Sequence, residues 1–272
     1  MKYAFDNLEK IKNKLFNRDL FLFLDYDGTL APIASTPDKA IFSEGMKDIL
    51  KQLCQKPNCK VAIISGRGLS DIKKQVGLED IIYSGNHGLE IQGPQLSYKA
   101  TVSPLYRKTI ERIKGSLVAK LAKINGVIIE NKGISLCMHY RLVKKDDIPL
   151  VKTIFHEIVI DYLVKGSIAI KPGKMAIDIR PTSWIDKGKA ALWLLARENF
   201  REQCRSVLPM YIGDDLTDED AFVALREIGI TMCVGEKKDS AAQYYFKDTL
   251  QVRRFLELVL KALNKGSAWE IL

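Results

Sequence analysis

No apolar run in this chain approaches the length of a membrane span. The opening residues MKYAFDNLEKIKNKLF lack the basic, apolar and small-residue plan of a signal peptide and read as a short amphipathic helix. Cysteine is sparse: Cys54, Cys59, Cys137, Cys204 and Cys233 are odd in number and show no metal-ligand spacing. Reduced thiols in a cytoplasmic protein are therefore expected, not a disulfide framework. There is no tandem repeat and no low-complexity segment, which excludes a solenoid. The net charge of +9 comes without aromatic interleaving and without a DNA or RNA module, so no nucleic-acid partner is expected. Lysines scattered along helical stretches suit a positive field that draws in a small dianionic substrate.

What is present is an ordinary globular composition, 47% hydrophobic and 28% charged over 272 residues, enough for one large domain or two. Leu20 to Pro32, LFLFLDYDGTLAP, is its organising stretch. Five apolar residues closed by Asp-Tyr-Asp-Gly-Thr read as a strand buried on both faces. Ending such a strand on Asp25 and Asp27 requires compensation, because unpaired buried charge is costly. A metal ion and a phosphate group would supply it, and Gly28-Thr29 forms a turn whose N–H groups can point at an anion.

Later segments repeat the pattern. A helix over Glu44–Gln55 precedes a second buried strand, Lys60–Gly66, which runs into Ser65 and Arg67. Ser70 is expected to cap a short helix ending near Gly77; Ile81–Tyr83 is a third strand, and Gly85 and Gly88 free the backbone of the loop around His87. This alternation is the grammar of a parallel sheet with right-handed crossovers. From about residue 102 to 182 the order becomes helix, hairpin, helix, hairpin, predicting an inserted α+β domain between core segments 1–101 and 183–272. The α/β order resumes with a helix over Ile185–Asn199, a strand Val207–Gly213 ending in Asp214-Asp215, a helix Thr217–Ile228, a strand Ile230–Gly235 and a helix Leu250–Leu263.

Strands that end at Asp25, Ser65 and Asp214 converge on the carboxyl edge of such a sheet, where ligands bind, and Lys187 reaches the same edge from a helix start. Taken singly, Ser65 reads as a turn residue, Lys187 as a solvated lysine, and Asp215, Asp218 and Asp220 as helix caps. Together they supply phosphate-monoester hydrolysis. Asp25 would attack phosphorus, and Asp27 would move the proton. Mg2+ suits the hard oxygens of Asp25, Asp214 and the Asp27 carbonyl, with Asp215 and Asp218 steadying its water shell. Ser65 and Lys187 would hold the phosphoryl oxygens.

The motifs DYDGTL, IISGR, DKG and GDDLTDED resemble the haloacid dehalogenase superfamily of phosphotransferases, whose Rossmann-like core carries an inserted cap. More narrowly, DYDGTLAPI, SGR, GNHG, ENKG, HYR, GKMAIDIRP and GDDLTDEDAF resemble the trehalose-6-phosphate phosphatases. That resemblance implies hydrolysis of trehalose 6-phosphate in trehalose biosynthesis, an αββαββ cap, and substrate contacts at Arg67, His87, Glu130, Lys132, Arg141, Lys174 and Asp178. Asp178 departs from the glutamate usual in the family pattern, which shortens the carboxylate by a methylene. Phosphatases acting on sucrose phosphate, mannosylglycerate phosphate or glucosylglycerol phosphate are the nearest alternatives, and a non-catalytic sugar-phosphate sensor is a more distant one. A sugar phosphate is the expected partner and a monomer the simpler expectation, with room left for a separate synthase partner.

Overall fold

The computed structural model describes residues 1–36, 39–182, 185–199 and 206–264; Cys204 and the tail 266–272 lie outside them. It divides into two units, Met1–Tyr98 with Ile185–Leu272, and Lys99–Trp184. In chain order the first part runs β1 (Lys2–Tyr3), α1 (Leu8–Leu15), β2 (Asp19–Leu24), α2 (Glu44–Cys54), β3 (Cys59–Ile64), α3 (Leu69–Val76), β4 (Ile82–Gly85), β5 (Glu90–Gly93) and β6 (Leu96–Lys99). The insert contributes α4 (Pro104–Leu121), β7 (Ile128–Asn131), β8 (Leu136–His139), α5 (Ile148–Val164), β9 (Ala169–Gly173) and β10 (Ala176–Arg180). The chain then adds α6 (Lys187–Asn199), β11 (Val207–Gly213), α7 (Glu219–Leu225), β12 (Ile230–Val234), β13 (Tyr244–Phe246) and α8 (Thr249–Asn264). None of the described helices is long and apolar enough to cross a membrane.

In the first unit, alternate residues of the central strands serve opposite layers, as the two-residue period of a strand requires. Leu20, Leu22 and Leu24 of β2 pack with Val61, Ile63, Met210 and Ile212 against Met46 and Leu50 of α2 and Phe255 and Val259 of α8. Phe21 and Phe23 pack with Ala62, Ile64 and Tyr211 against Leu194 of α6 and Phe222 of α7. The sheet order is β1-β13-β12-β11-β2-β3-β4-β5-β6. From β2 the chain builds outward through β3 and β4, and after the insert it returns to β11 on the other side. The reversal therefore lies between β2 and β11, which run parallel with Leu24 beside Ile212.

Three local expectations are corrected. Gly68, not Ser70, stands at the N-cap of α3. β5 and β6 extend the sheet beyond β4, with β5 antiparallel to it, where no strands were expected; Gly93-Pro94 interrupts their alternation. The short β1 and β13 form a parallel edge, with Lys2 beside Tyr244. At three residues or fewer, such strands leave no periodicity to read.

The insert is a four-stranded antiparallel sheet, ordered β7-β8-β10-β9, with α4 and α5 on one face. Leu136, Met138, Ile177 and Ile179 pack on Ile113, Leu117, Phe155 and Val159 of those helices. On the opposite face, Glu130, Cys137, Asp178 and Lys171 stand side by side across all four strands. The fold is thus α/β, a Rossmann-like core with an inserted α+β unit of the cap type.

Candidate active site

At the β2–β11 reversal, the Asp25 backbone N–H donates to the Ile212 carbonyl at 2.9 Å, so Asp25 leaves the sheet beside Gly213 and Asp214. Gly28 makes this closeness feasible. Its φ is +84°, and a Cβ added there would lie 2.1 Å from Asp214 Oδ2. Gly28→Ala should therefore displace Asp214 and strain the turn, destabilising the fold by about 1–3 kcal/mol. Thermal unfolding should also show a weaker response to added Mg2+ than in the parent protein. An unchanged response would remove Asp214 from the cation site.

Lys187, the first residue of α6, is 2% exposed and places Nζ 2.9 Å from Asp25 Oδ1 and 2.8 Å from Asp218 Oδ1. Asp218 is the hub of this arrangement. Its Oδ1 also accepts from the Tyr211 hydroxyl at 2.7 Å, and its Oδ2 accepts from the backbone N–H groups of Asp214 and Asp215, both at 2.9 Å. Burial pushes the Asp218 carboxyl up to about 6 against the pull of Lys187. The four donors occupy both of its oxygens and leave no place for a proton, which favours the carboxylate. Burial works against the charge on Lys187, yet Asp218, Asp25 and Asp215 hold it protonated.

Asp25 is 4% exposed, and its pKa is raised by burial first and then by Asp218, with Lys187 opposing and Asp214 and Asp215 adding to the rise. Burial also disfavours the charge on Asp215, but Lys187, Thr217 and His87 outweigh it and keep that carboxyl well below the usual range. Ligand oxygens of Asp25, Asp214 and Asp218 lie within 4.8 Å of one another. Asp25, Asp215 and Asp218 thus gather around Lys187, with Asp214 beside Asp25 and Asp218, in excess of the charge the lysine brings. An excess of hard oxygen donors fits a divalent cation such as Mg2+. Asp218 is already filled by its four donors, so a cation in this cluster would be met by Asp25 and Asp214.

Ser65 lies beyond β3, the neighbour of β2, and is 1% exposed. Its Oγ accepts from the Arg67 N–H at 3.1 Å, while its carbonyl accepts from the His87 N–H at 2.9 Å. The loop at His87 is strained in a place not expected from its glycines. Asn86 and His87 have positive φ, 51° and 57°; Gly88 shares that sign, whereas Gly85 has φ −95°. His87 is 6% exposed and packs so near Gly66 that an added Cβ would lie 2.5 Å from Nε2. Arg67 turns its guanidinium onto Asp27 and Asp71.

Within the insert, three of the expected substrate residues meet on the polar face: Lys132 Nζ lies 3.9 Å from Glu130 and 3.3 Å from Asp178. Arg141 Nη2 donates to the Lys174 carbonyl at 3.0 Å, so that pair is held together separately. Asp178 is shared with Arg180 at 3.1 Å, which ties its short side chain to the sheet. Burial works against the charge on Lys132, but Asp178, Cys137 and Glu130 keep it protonated. His139 Nε2 lies 2.7 Å from Glu130 Oε2. Cys137, His139, Arg180 and Tyr211 were not singled out from the sequence as members of these networks. Strand alternation through LCMH and AIDIR is the signal that would have put the first three on the face of Glu130 and Asp178.

The sequence profile of the family described as trehalose-phosphatase matches residues 23–249. Trehalose-phosphate phosphatase B of Arabidopsis thaliana is 34% identical over 274 aligned positions, covering 96% of this chain and 72% of that protein. Trehalose 6-phosphate phosphatase RA3 of Zea mays is 33% identical, with coverages of 92% and 72%. Among solved structures, the C-terminal domain of C. albicans trehalose-6-phosphate phosphatase is similar with a TM-score of 0.82 at 25% identity, covering 96% of this chain and 98% of that one.

Proposed function

The chain belongs to the trehalose-phosphatase family of the haloacid dehalogenase superfamily, and on that premise we propose that it hydrolyses trehalose 6-phosphate to trehalose and phosphate, with Mg2+ as cofactor and Asp25 as nucleophile. The observation that carries the reading is the buried Asp25 carboxylate at the sheet reversal, 2.9 Å from Lys187 and beside Asp214. An Oδ of Asp25 attacks phosphorus and the bond from phosphorus to the sugar oxygen breaks, leaving an aspartyl-phosphate. Asp27 gives the leaving alkoxide its proton and then takes one from the water that attacks the aspartyl-phosphate. Ser65 and Lys187 hold phosphoryl oxygens and offset the charge of the transition state. Asp25, Asp214 and the Asp27 carbonyl would hold Mg2+, which would supply neutralisation of charge on the transferring group, and Asp215 and Asp218 would support that shell.

Residues 102–182 supply the sugar contacts in this reading. Carboxylates of Glu130 and Asp178 accept from hydroxyls, and Lys132, Lys174 and Arg141 donate to acceptor oxygens. The clustering of Glu130, Lys132 and Asp178 on one face of the insert supports that role. Of the two core residues in the expected contact set, His87 keeps that role in this reading, whereas the guanidinium of Arg67 is engaged by Asp27 and Asp71.

Phosphate release from a panel of sugar phosphates tests the assignment. Trehalose 6-phosphate should be preferred in kcat/KM over sucrose phosphate, mannosylglycerate phosphate and glucosylglycerol phosphate by about 100-fold or more. Chelation of Mg2+ should abolish release, and its return should restore it. Equal rates across the panel would overturn the substrate, and tight binding of trehalose 6-phosphate without turnover would favour a sensor.

A further inference from the structure

Arg67 is held by protein groups at all three of its guanidinium nitrogens. Its Nε donates to Asp27 Oδ2 and its Nη2 to Asp27 Oδ1, both at 2.7 Å. Its remaining terminal nitrogen donates to Asp71 Oδ2 on α3 at 2.8 Å. The guanidinium carbon lies 5.1 Å from the centre of the Tyr26 ring, within cation–π range. The backbone is held as firmly: the N–H donates to Ser65 Oγ, and the carbonyl accepts from the Asn86 N–H at 2.7 Å. Of the two partners in the pair, Arg67 has a side chain 5% exposed and Asp27 one 41% exposed. The arginine is the anchored partner, and the aspartate is the one that reaches solvent.

A planar guanidinium gripping both carboxylate oxygens fixes the plane and direction of that carboxylate, which a lysine in its place cannot do. Proton transfer depends on that direction, because donor and acceptor must meet within hydrogen-bond reach. We propose that Arg67 is a positioning residue for the proton-transfer carboxylate of Asp27, and that its guanidinium serves neither the sugar nor the phosphoryl group. The inference rests on Asp27 being the acid and base, and it gives Arg67 a different task from the substrate contact implied by family resemblance. Asp71 becomes the anchor that keeps the guanidinium turned toward Asp27. Each Asp27 oxygen keeps a second lone pair outside this grip, on which the transferred proton can sit.

The test compares two leaving groups. A sugar alkoxide needs a proton as it departs, whereas p-nitrophenolate does not. In single-turnover experiments, Arg67→Lys should slow trehalose release from trehalose 6-phosphate by about 10–100-fold. The first-turnover burst of p-nitrophenolate from p-nitrophenyl phosphate should stay within about threefold of the parent rate. KM for trehalose 6-phosphate should change little. Asp71→Asn, which leaves the Arg67–Asp27 contact chemically intact but loosens it, should show the same pattern at smaller amplitude, and it carries the test if Arg67→Lys does not fold.

Equal slowing of both leaving groups would overturn the proposal in favour of phosphate contact. A rise in KM with kcat unchanged would overturn it in favour of sugar contact. Asp27→Asn separates this failure from failure of the underlying reading. Full activity in that variant would remove Asp27 as acid and base. An inactive Asp27→Asn beside fully active Arg67→Lys and Asp71→Asn would remove only the role given to Arg67.

Discussion

Asp25→Asn should abolish phosphate release, a loss on the order of 10⁴-fold or more, while the protein still folds. The amide is nearly isosteric with the carboxylate and keeps an oxygen for Lys187, which sits 2.9 Å away in the parent. It cannot form the aspartyl-phosphate, so loss of the nucleophile falls on kcat. Stability should move the other way in metal-free buffer. Burial and the neighbouring charges of Asp218, Asp214 and Asp215 disfavour the ionised Asp25, with Lys187 only partly offsetting them. A neutral side chain removes that repulsion, so the unfolding temperature without metal should equal or exceed that of the parent. Added Mg2+ should raise it less, because one of the two carboxylates proposed to hold it has gone. Turnover at the parent rate would contradict the assignment of Asp25.

Asp218→Ala should be the most destabilising single change in the core site. It leaves the Tyr211 hydroxyl, two backbone N–H groups and one contact of buried Lys187 without their acceptor. Removing one partner from a buried, hydrogen-bonded ion pair costs about 3–5 kcal/mol, mainly through the charge left behind. Chemical denaturation should show a loss of that size, and activity should fall with it because Lys187 and the 214–215 backbone lose their common anchor. Asp218→Asn should be milder in stability, since its amide retains one acceptor oxygen. A change below about 1 kcal/mol in Asp218→Ala would show that the four bonds add little in net terms.

The contrast between Asp25 and Asp218 bears on what a sequence reveals. Asp25 follows a buried apolar run, and its charge there calls for an explanation even before the partner segments are known. Asp218 stands in an acidic stretch, TDED, where a helix cap or an outer support of the metal shell is the natural reading. Its role as hub comes from the turn that folds it back under Gly213: a Cβ added to Gly213 would lie 2.3 Å from Asp218 Cγ. Nothing in the spacing announces that close approach. Arg67 is similar, for its grip on Asp27 depends on how the loops after β2 and β3 face each other. The long strands and helices were legible because apolar periodicity marks them, and Val207–Gly213 is a strand over the range expected. β5, β6 and β13 were not, since short strands draw their stability from pairing rather than from a pattern of their own. In the insert, the sequence order sufficed for the α+β character, but only the cross-strand register shows that Cys137 lies between Glu130 and Asp178.

The central claim is that the phosphoryl group passes through Asp25, and rapid acid quenching of the enzyme with trehalose 6-[³²P]phosphate tests it most directly. Label should appear on the protein within the first turnover, be released by hydroxylamine as an acyl phosphate requires, and map to the peptide containing Asp25. It should be absent from Asp25→Asn. Steady hydrolysis with no protein-bound label, or with label mapping to another residue, would contradict the account.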